Sequence, residues 1–434
     1  MNNHVGAKVD AQTKLPTTAR NIGLRHTQVL DEATRELNTR GVSLTSMADI
    51  ASRLGISRAA MYTYVTDRED LVFQCCHRSL LLMARYLDES CAEISNSAAD
   101  QSDSAVQVLT RFIARVLEPH SPPLAARAEI MSVSSQHRQV IHALYAPIVT
   151  QLAALLESGA KTGSLRVCNY DVVARTILGL LNWAPLVHPQ LTGSSVESHR
   201  RLRKTIEDIV LHGLAVDRTA PLQYASIDLA PLQFTINGAF DRDAINAARL
   251  EALLLSASRL FNRKGFHATS LQEIMTSVGT TKRTLYRYLA DKQTLAATCY
   301  DRAFRIFFFI GERMSAYRGT RLQALAATVH ALATTYLRDD LTPMAPPVCY
   351  AALSPENKLA FDTRSSAVSG GHMQVINAGI AEGSVAAIDA DARVKLLPGI
   401  FSLLINNDFP ADSAYRDQVA REITTLFCIG LRAT

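Results

Sequence analysis

The residues best placed to do chemistry lie in G-T-T-K-R-T-L-Y-R-Y-L, residues 279–289. Arg283 and Arg287 are the residue type whose guanidinium fork matches the O6 and N7 acceptors of guanine in a major groove. A closely related phrase, G-I-S-R-A-A-M-Y-T-Y-V, stands at 55–65. Its recognition positions differ: Arg58, Ala59, Ala60 and Thr63 stand against Lys282, Arg283, Thr284 and Arg287. Ala59 and Ala60 can offer at most methyl contact with thymine. Thr45 and Thr269 offer hydroxyls to phosphate, beside the N–H groups of helix N-termini. Tyr62, Tyr286 and the cations Arg68 and Lys292 lie where successive helices can flank a nucleic-acid backbone. The candidate DNA contacts are completed by Ser57, Tyr64, Thr281 and Tyr288.

These residues recur because the chain recurs. Sliding the sequence by 224 aligns 25–72 with 249–296 without a gap, and fourteen positions are identical, from Arg25/Arg249 to Leu71/Leu295. With the offset reduced to 220, Gly159, Gly163, Ser164, Asp171 and Gly179 meet Gly379, Gly383, Ser384, Asp391 and Gly399. A collinear series with one small deletion indicates a duplicated unit of about 200 residues, too long for a solenoid repeat.

Each unit opens with helix signals. Thr27–Arg40 carries Leu30, Ala33, Thr34 and Leu37 at helical spacing; the partner run has Leu253, Leu254, Ala257, Leu260 and Phe261. Gly41 and Gly265 follow, where a C-terminal glycine can take positive φ. Ser46-x-x-Asp49 and Ser270-x-x-Glu273 look like capping boxes for a second helix. That helix ends at Gly55 or Gly279, and Ser57 or Thr281 caps a third that ends near Tyr64 or Tyr288. Asp67 and Asp291 cap a long fourth helix. Two short helices joined by a glycine-bearing turn form a helix-turn-helix pattern, whose second helix enters the major groove.

T-S-M-A-D-I-A-S-R-L-G-I-S-R-A-A-M-Y-T-Y-V-T-D-R-E-D-L and T-S-L-Q-E-I-M-T-S-V-G-T-T-K-R-T-L-Y-R-Y-L-A-D-K-Q-T-L both resemble the DNA-binding domain of tetracycline-repressor (TetR) family regulators. Gly159-x-x-x-Gly163, Asp171 and Leu180–Trp183 resemble the later helices of such proteins. The resemblance implies an all-α fold of two tandem units, each a head of three helices plus the start of a fourth on a helical body that binds ligand and dimerises. It implies double-stranded DNA and a small-molecule effector as partners, with repression the usual output. The copies depart from the family pattern: Tyr64 and Tyr288 replace the usual His, and Val65 and Leu289 the usual Phe. Met275 replaces a small Ala, so the second copy should pack its second and third helices slightly apart.

The domains expected are a polar tail (1–24), head one (25–72), body one (73–216), a linker (217–243), head two (244–296) and body two (297–434). The linker twice spells A-P-L-Q-aromatic (Ala220–Tyr224, Ala230–Phe234). It reads either as a semi-extended connection or as one whose Tyr224 and Phe234 dock on the two halves. The heads are unequal. Residues 25–72 hold six Lys/Arg against seven Asp/Glu, whereas 249–296 hold eight against three, so head two should contribute more nonspecific affinity. The expected target has two unlike half-sites. Lys8, Lys14 and Arg20 of the tail offer a minor-groove arm. A chain with two heads makes either an internal pseudo-dimer or, as a homodimer, a four-headed particle. The alternative is a helical ligand- or partner-binding protein in which one or both heads have lost DNA.

For the effector pocket the candidates are Met131, His142, Tyr145, Trp183, Phe308, Tyr336 and Tyr350, drawn from a wider inventory that also holds His137, His188, Phe304, Phe307, Phe309, His330 and Cys349. In the run Phe307–Phe309 the three rings cannot all face one way, so at least one meets another body or a ligand. The sequence carries no P-loop, no dinucleotide-binding glycine pattern and no nucleophile elbow, and His137 and His142 are wrongly spaced for a metal pair. The chain is therefore expected to be no enzyme and to need neither cofactor nor metal. Cys75 and Cys299 align between copies and read as packing. No run suggests a secretory signal or a membrane span, and seven cysteines without a C-x-x-C favour the cytoplasm. The net charge of +5 permits a polyanionic partner without demanding one.

Overall fold

The computed structural model describes residues 17–95, 103–126, 133–191, 195–233, 242–280, 291–346, 348–406, 409–410 and 412–433. Among these the chain is helical, with two isolated β-bridges and no strand. Head one comprises α1 (Thr17–Arg40), α2 (Met47–Arg53), α3 (Arg58–Met61) and the start of α4 (Arg68–Ser95). Helix α1 opens at Thr17, so 17–24 belong to the helix and not to a tail. The single glycine of this stretch, Gly23, does not interrupt it. Body one continues with α5 (Ser104–Val116), α6 (Ser135–Lys161), α7 (Tyr170–Val187) and α8 (Ser195–Leu211). Unit two repeats the order: α9 (Arg242–Ala268), α10 (Leu271–Ser277), α11 (Lys292–Ser315), α12 (Arg321–Leu337), α13 (Pro355–Glu382), α14 (Ala390–Ile400), α15 (Ser402–Asn406) and α16 (Ser413–Ile429).

The repeated residues explain themselves locally. Gly41 and Gly265 both sit at φ 73°, which breaks the first helix of each head where a side chain would be strained. The side chains of Ser46 and Ser270 accept from the N–H groups of Asp49 and Glu273. The carboxylates do not complete the capping boxes; Asp49 faces Arg40 at 3.7 Å and Glu273 pairs with Lys264. Asn38 and Asn262 clamp each head to its body. Their amides donate to the carbonyls of Leu124 and Pro343 (2.8 and 2.9 Å), and their oxygens accept from the N–H groups of Ala126 and Ala345. Cys75 and Cys299 are buried, with Sγ 3.8 and 3.6 Å from the carbonyls of Leu30 and Leu254. Burial pushes their thiols up to about 11 and about 12, so neither has thiolate character.

The two bodies close on each other through α7, α8, α14 and α16. Gly179 on α7 meets its own repeat counterpart, Gly399 on α14. A Cβ at Gly179 would stand 2.6 Å from the Gly399 carbonyl, and one at Gly399 would stand 2.7 Å from Cβ of Trp183. Contact between equivalent positions is the mark of a two-fold interface, here formed inside one chain. Polar ties flank it: Arg201 grips Asp389 at 2.7 and 3.0 Å, Arg166 reaches Glu422 at 2.7 Å, and Trp183 Nε1 donates to the Lys395 carbonyl. The apolar core runs continuously through head one and both bodies, while head two gathers a second cluster around Phe261, Leu295 and Phe304.

Helix α6 has the length and mean hydropathy of a bilayer span, which a search for uninterrupted apolar runs misses. Its buried positions (Ile141, Tyr145, Ile148, Val149, Leu152, Leu156) recur at the spacing of one core-facing stripe. The connection after α8 is extended, with one short 3-10 turn at Ala230–Leu232. It is also docked. Tyr224 packs beside His330 of body two with ring centroids 5.6 Å apart, and the N–H of Ala225 donates to Tyr317. Phe234 lies outside the described residues.

Candidate nucleic-acid interface and effector cavity

Helix α3 is held from beneath by Met61 and Val65, both buried, which leaves its other face outward. Ser57 caps it, its hydroxyl accepting from the Ala60 N–H at 3.1 Å. Ser57, Arg58, Ala59 and Thr63 are exposed and Ala60 is half-exposed. Helical bonding ends at Met61; bonds from Thr63 N to Ala60 O and from Tyr64 N to Met61 O carry the turn onward. Tyr62 is 45% exposed. Tyr64 is half-buried, its ring stacked with His26 at 6.1 Å, so it braces α3 against α1. Arg68 is exposed at the start of α4. Seven of the predicted residues are thus exposed or half-exposed, and Tyr64 is half-buried.

Two predicted contacts fail. Thr45 and Thr269 are buried, and each hydroxyl donates at 2.8 Å to the carbonyl of its glycine, Gly41 or Gly265. Their hydroxyl protons are committed to the turn, so neither side chain is a phosphate donor; their repeat identity reflects helix termination. Lys292 also departs from expectation. It lies half-buried over the Phe266 ring at 4.5 Å, with Nζ 3.4 Å from the His267 carbonyl, and burial lowers its pKa. Thr281, Lys282, Arg283, Thr284, Tyr286, Arg287 and Tyr288 lie outside the described residues. Met275 is buried.

The neutrality of head one has a structural form. Arg53 pairs with Glu32 at 2.9 Å and with Glu36, Arg40 with Glu36 at 3.5 Å, and Arg35 with Glu32 at 3.2 Å. Three of its arginines are therefore spent on its own carboxylates. Arg68 of head one bears on His267 of head two, whose pKa is lowered first by burial and then by Lys292 and Arg68. The turn Tyr350–Ala352 of body two also packs against the turn Val42–Leu44 of head one.

Body two holds a cavity of about 100 Å³ walled by Tyr300, Phe304, Phe307, Tyr336, Phe361, Ser365, Ser369, His372 and Phe401. Of the predicted pocket residues, Tyr336 lines it. Phe308 is 38% exposed and lines an outer cleft that shares Phe307, Val368 and His372 with the cavity wall. Tyr350 stands behind the wall, its ring 5.1 Å from Phe361 and its hydroxyl donating to Asp362. In body one Tyr145 is core, Trp183 belongs to the inter-unit contact, and His142 is exposed, so none lines this cavity. Met131 lies outside the described residues. Phe307 enters the wall while Phe309 sits under the Arg313 guanidinium, which divides the three-Phe run. The wall residues missed include Tyr300, Phe401 and one stripe of α13, Phe361, Ser365, Ser369 and His372; the polar members embedded in the apolar spacing of α13 were the available signal.

Comparisons with known proteins agree with this architecture. The family model described as bacterial regulatory proteins, tetR family, matches residues 29–75 and 253–299. The model described as tetracyclin repressor-like, C-terminal domain, matches 99–186. Both heads thus match the model of the tetR family of bacterial regulatory proteins, and body one matches the model of their C-terminal domain. Among solved structures, the TetR family regulator PfmR from Thermus thermophilus is 22% identical, covering 41% of this chain and 96% of its own, with a TM-score of 0.33. AibR in complex with isovaleryl coenzyme A and operator DNA is 18% identical over 41% of this chain and 96% of its own, TM-score 0.33. FadR from Bacillus subtilis in complex with stearoyl-CoA is 16% identical over 42% and 97%, TM-score 0.31. A search of the curated proteins finds no match.

Proposed function

We propose that this protein is a cytoplasmic repressor that binds one asymmetric DNA site as an internal pseudo-dimer and is released by a small molecule held in body two. The observation that carries the reading is the pairing of two helix-turn-helix heads by a bundle closed within one chain. Because α7, α8, α14 and α16 already cover one another, a second chain is not needed to supply the second head. Head two supplies most of the electrostatic attraction and head one a weaker, methyl-bearing half-site. It acts by binding and performs no catalysis.

Light scattering should give a particle near the chain mass of 47.4 kDa. Selection of bound duplexes from a random pool should return two unlike half-sites; a perfect inverted repeat contradicts the proposal. Arg283→Ala and Arg287→Ala should each weaken DNA binding by about 1–3 kcal/mol, and Arg58→Ala by less. If all three leave binding to genomic fragments unchanged, the DNA reading fails. The ion-paired arginines of head one favour a second reading in which that head contributes little; there, Arg58→Ala alone leaves affinity unaltered.

A further inference from the structure

His372 is 6% exposed and lines the cavity from α13. Its Nδ1 lies 2.9 Å from the Val368 carbonyl. A carbonyl only accepts, so Nδ1 carries the proton and Nε2 of the neutral ring is a bare acceptor. That Nε2 is buried and has no hydrogen-bond partner among the described residues. Burial also lowers the pKa of the ring, which keeps it neutral. The other polar groups in the wall are hydroxyls, and that of Tyr300 is already committed, donating to the Pro346 carbonyl at 2.8 Å. No Asp, Glu, Lys or Arg is among the described residues that line the space.

The repeat supplies an internal control. At the 220 offset, which brings the N-caps Ser134 and Ser354 of α6 and α13 into register, Ser365 corresponds to Tyr145, Ser369 to Val149 and His372 to Leu152. All three body-one residues are buried core. Where body two leaves room beside an unsatisfied acceptor, body one has a phenol ring and two aliphatic chains.

We propose that the cavity of body two takes one neutral, single-ring-sized apolar molecule per chain, which donates a hydrogen bond to Nε2 of His372, and that body one takes none. This rests on the reading of body two as the effector-binding half. A buried acceptor discriminates strongly, because an analogue without the donor leaves it unpaired.

Phenol and toluene match in shape and differ in the donor, so the test is calorimetric titration of the full chain with each. Phenol should saturate at one per chain and bind at least tenfold more tightly than toluene. His372→Leu, the residue body one carries, should bring the ratio close to one. Ser365→Tyr, the other body-one residue, should abolish phenol binding with the melting transition retained; it is the decisive variant if His372→Leu does not fold. Equal affinities in the native chain, an unchanged ratio in His372→Leu, a second phenol per chain, or no saturation below about 10 mM would each overturn the proposal. DNA binding is measured separately without phenol. A chain that binds DNA and ignores phenol sinks the ligand assignment alone; one that binds phenol and no DNA sinks the regulator reading alone.

Discussion

Body one and body two share a helix order, a head clamp and a pair of buried cysteines, yet the positions that wall a cavity in body two are buried core in body one. The difference is concentrated on one helical stripe. In α6 the inward positions are Tyr145, Val149 and Leu152; in α13 they are Ser365, Ser369 and His372. Side chains that fill space stabilise, and side chains that leave it forgo dispersion contacts along the cavity wall. On the proposed reading the pair divides labour: body one is the packed partner, and body two is the half that takes the effector. A single-chain dimer permits this, because each half mutates alone. A symmetric homodimer would change both copies at once.

Swapping the stripe should break that division, and the largest effect is expected at Tyr145. Tyr145→Ser removes a buried ring and leaves a void, which should cost about 3–5 kcal/mol by analogy with aromatic-to-small core changes. Ser365→Tyr in body two should cost far less, since the ring enters existing space. The check is chemical denaturation of both variants beside the native chain. Equal losses would mean that the cavity collapses readily and that the two bodies are packed alike.

How much of this the sequence discloses depends on the kind of interaction. The heads were legible because their signals are local: Ser46, Ser57 and Asp67 cap within three residues, and Gly41 and Gly55 mark ends at positive φ. The duplication was legible because it is collinear. The burial of Thr45 was not, since a hydroxyl turned to the carbonyl four residues back spells the same as one facing phosphate. The cavity was half legible. Aromatic residues mark many core positions, and only the register of α13 against α6 separates Ser365 and His372 from ordinary helix polarity. Asn38 and Asn262 looked like mere repeat identities, yet they join head to body across more than eighty residues.

The axis between the bodies gives a sharper test with opposite signs. Gly179 and Gly371 both lie inside helices. A Cβ at Gly371 meets nothing within 4 Å, whereas one at Gly179 would stand 2.2 Å from Ser402 Oγ and 2.6 Å from a backbone oxygen. Gly371→Ala should stabilise by up to about 1 kcal/mol through helix propensity. Gly179→Ala should destabilise by about 1–3 kcal/mol, because backbone must move to admit it. Thermal melts decide this. Stabilisation by both variants would show that the bodies meet less closely than Gly179 and Gly399 indicate.

The last effect expected is also a gain, at Arg393 on α14. Its side chain is fully buried, its three guanidinium nitrogens lack hydrogen-bond partners among the described residues, and burial lowers its pKa to about 10. Some compensation comes from the Phe427 ring at 5.7 Å and from the charge of Asp208. Its repeat counterpart in α7 is Val173, which is also buried but has no charge to desolvate. An uncompensated buried charge opposes folding, and replacing such groups with apolar residues of similar volume is often stabilising. Arg393→Met should therefore raise stability by roughly 1–2 kcal/mol, read as a higher denaturation midpoint with unchanged slope. The penalty depends on protonation and has a definite sign. The folded pKa lies below the unfolded value near 12.5, so the native chain should carry the full cost below about pH 10 and shed it above. The advantage of Arg393→Met should be constant from about pH 6 to 9. If the variant is instead less stable, the guanidinium has partners across the bundle, and the two halves are joined by charge at a place where the repeat joins them by packing.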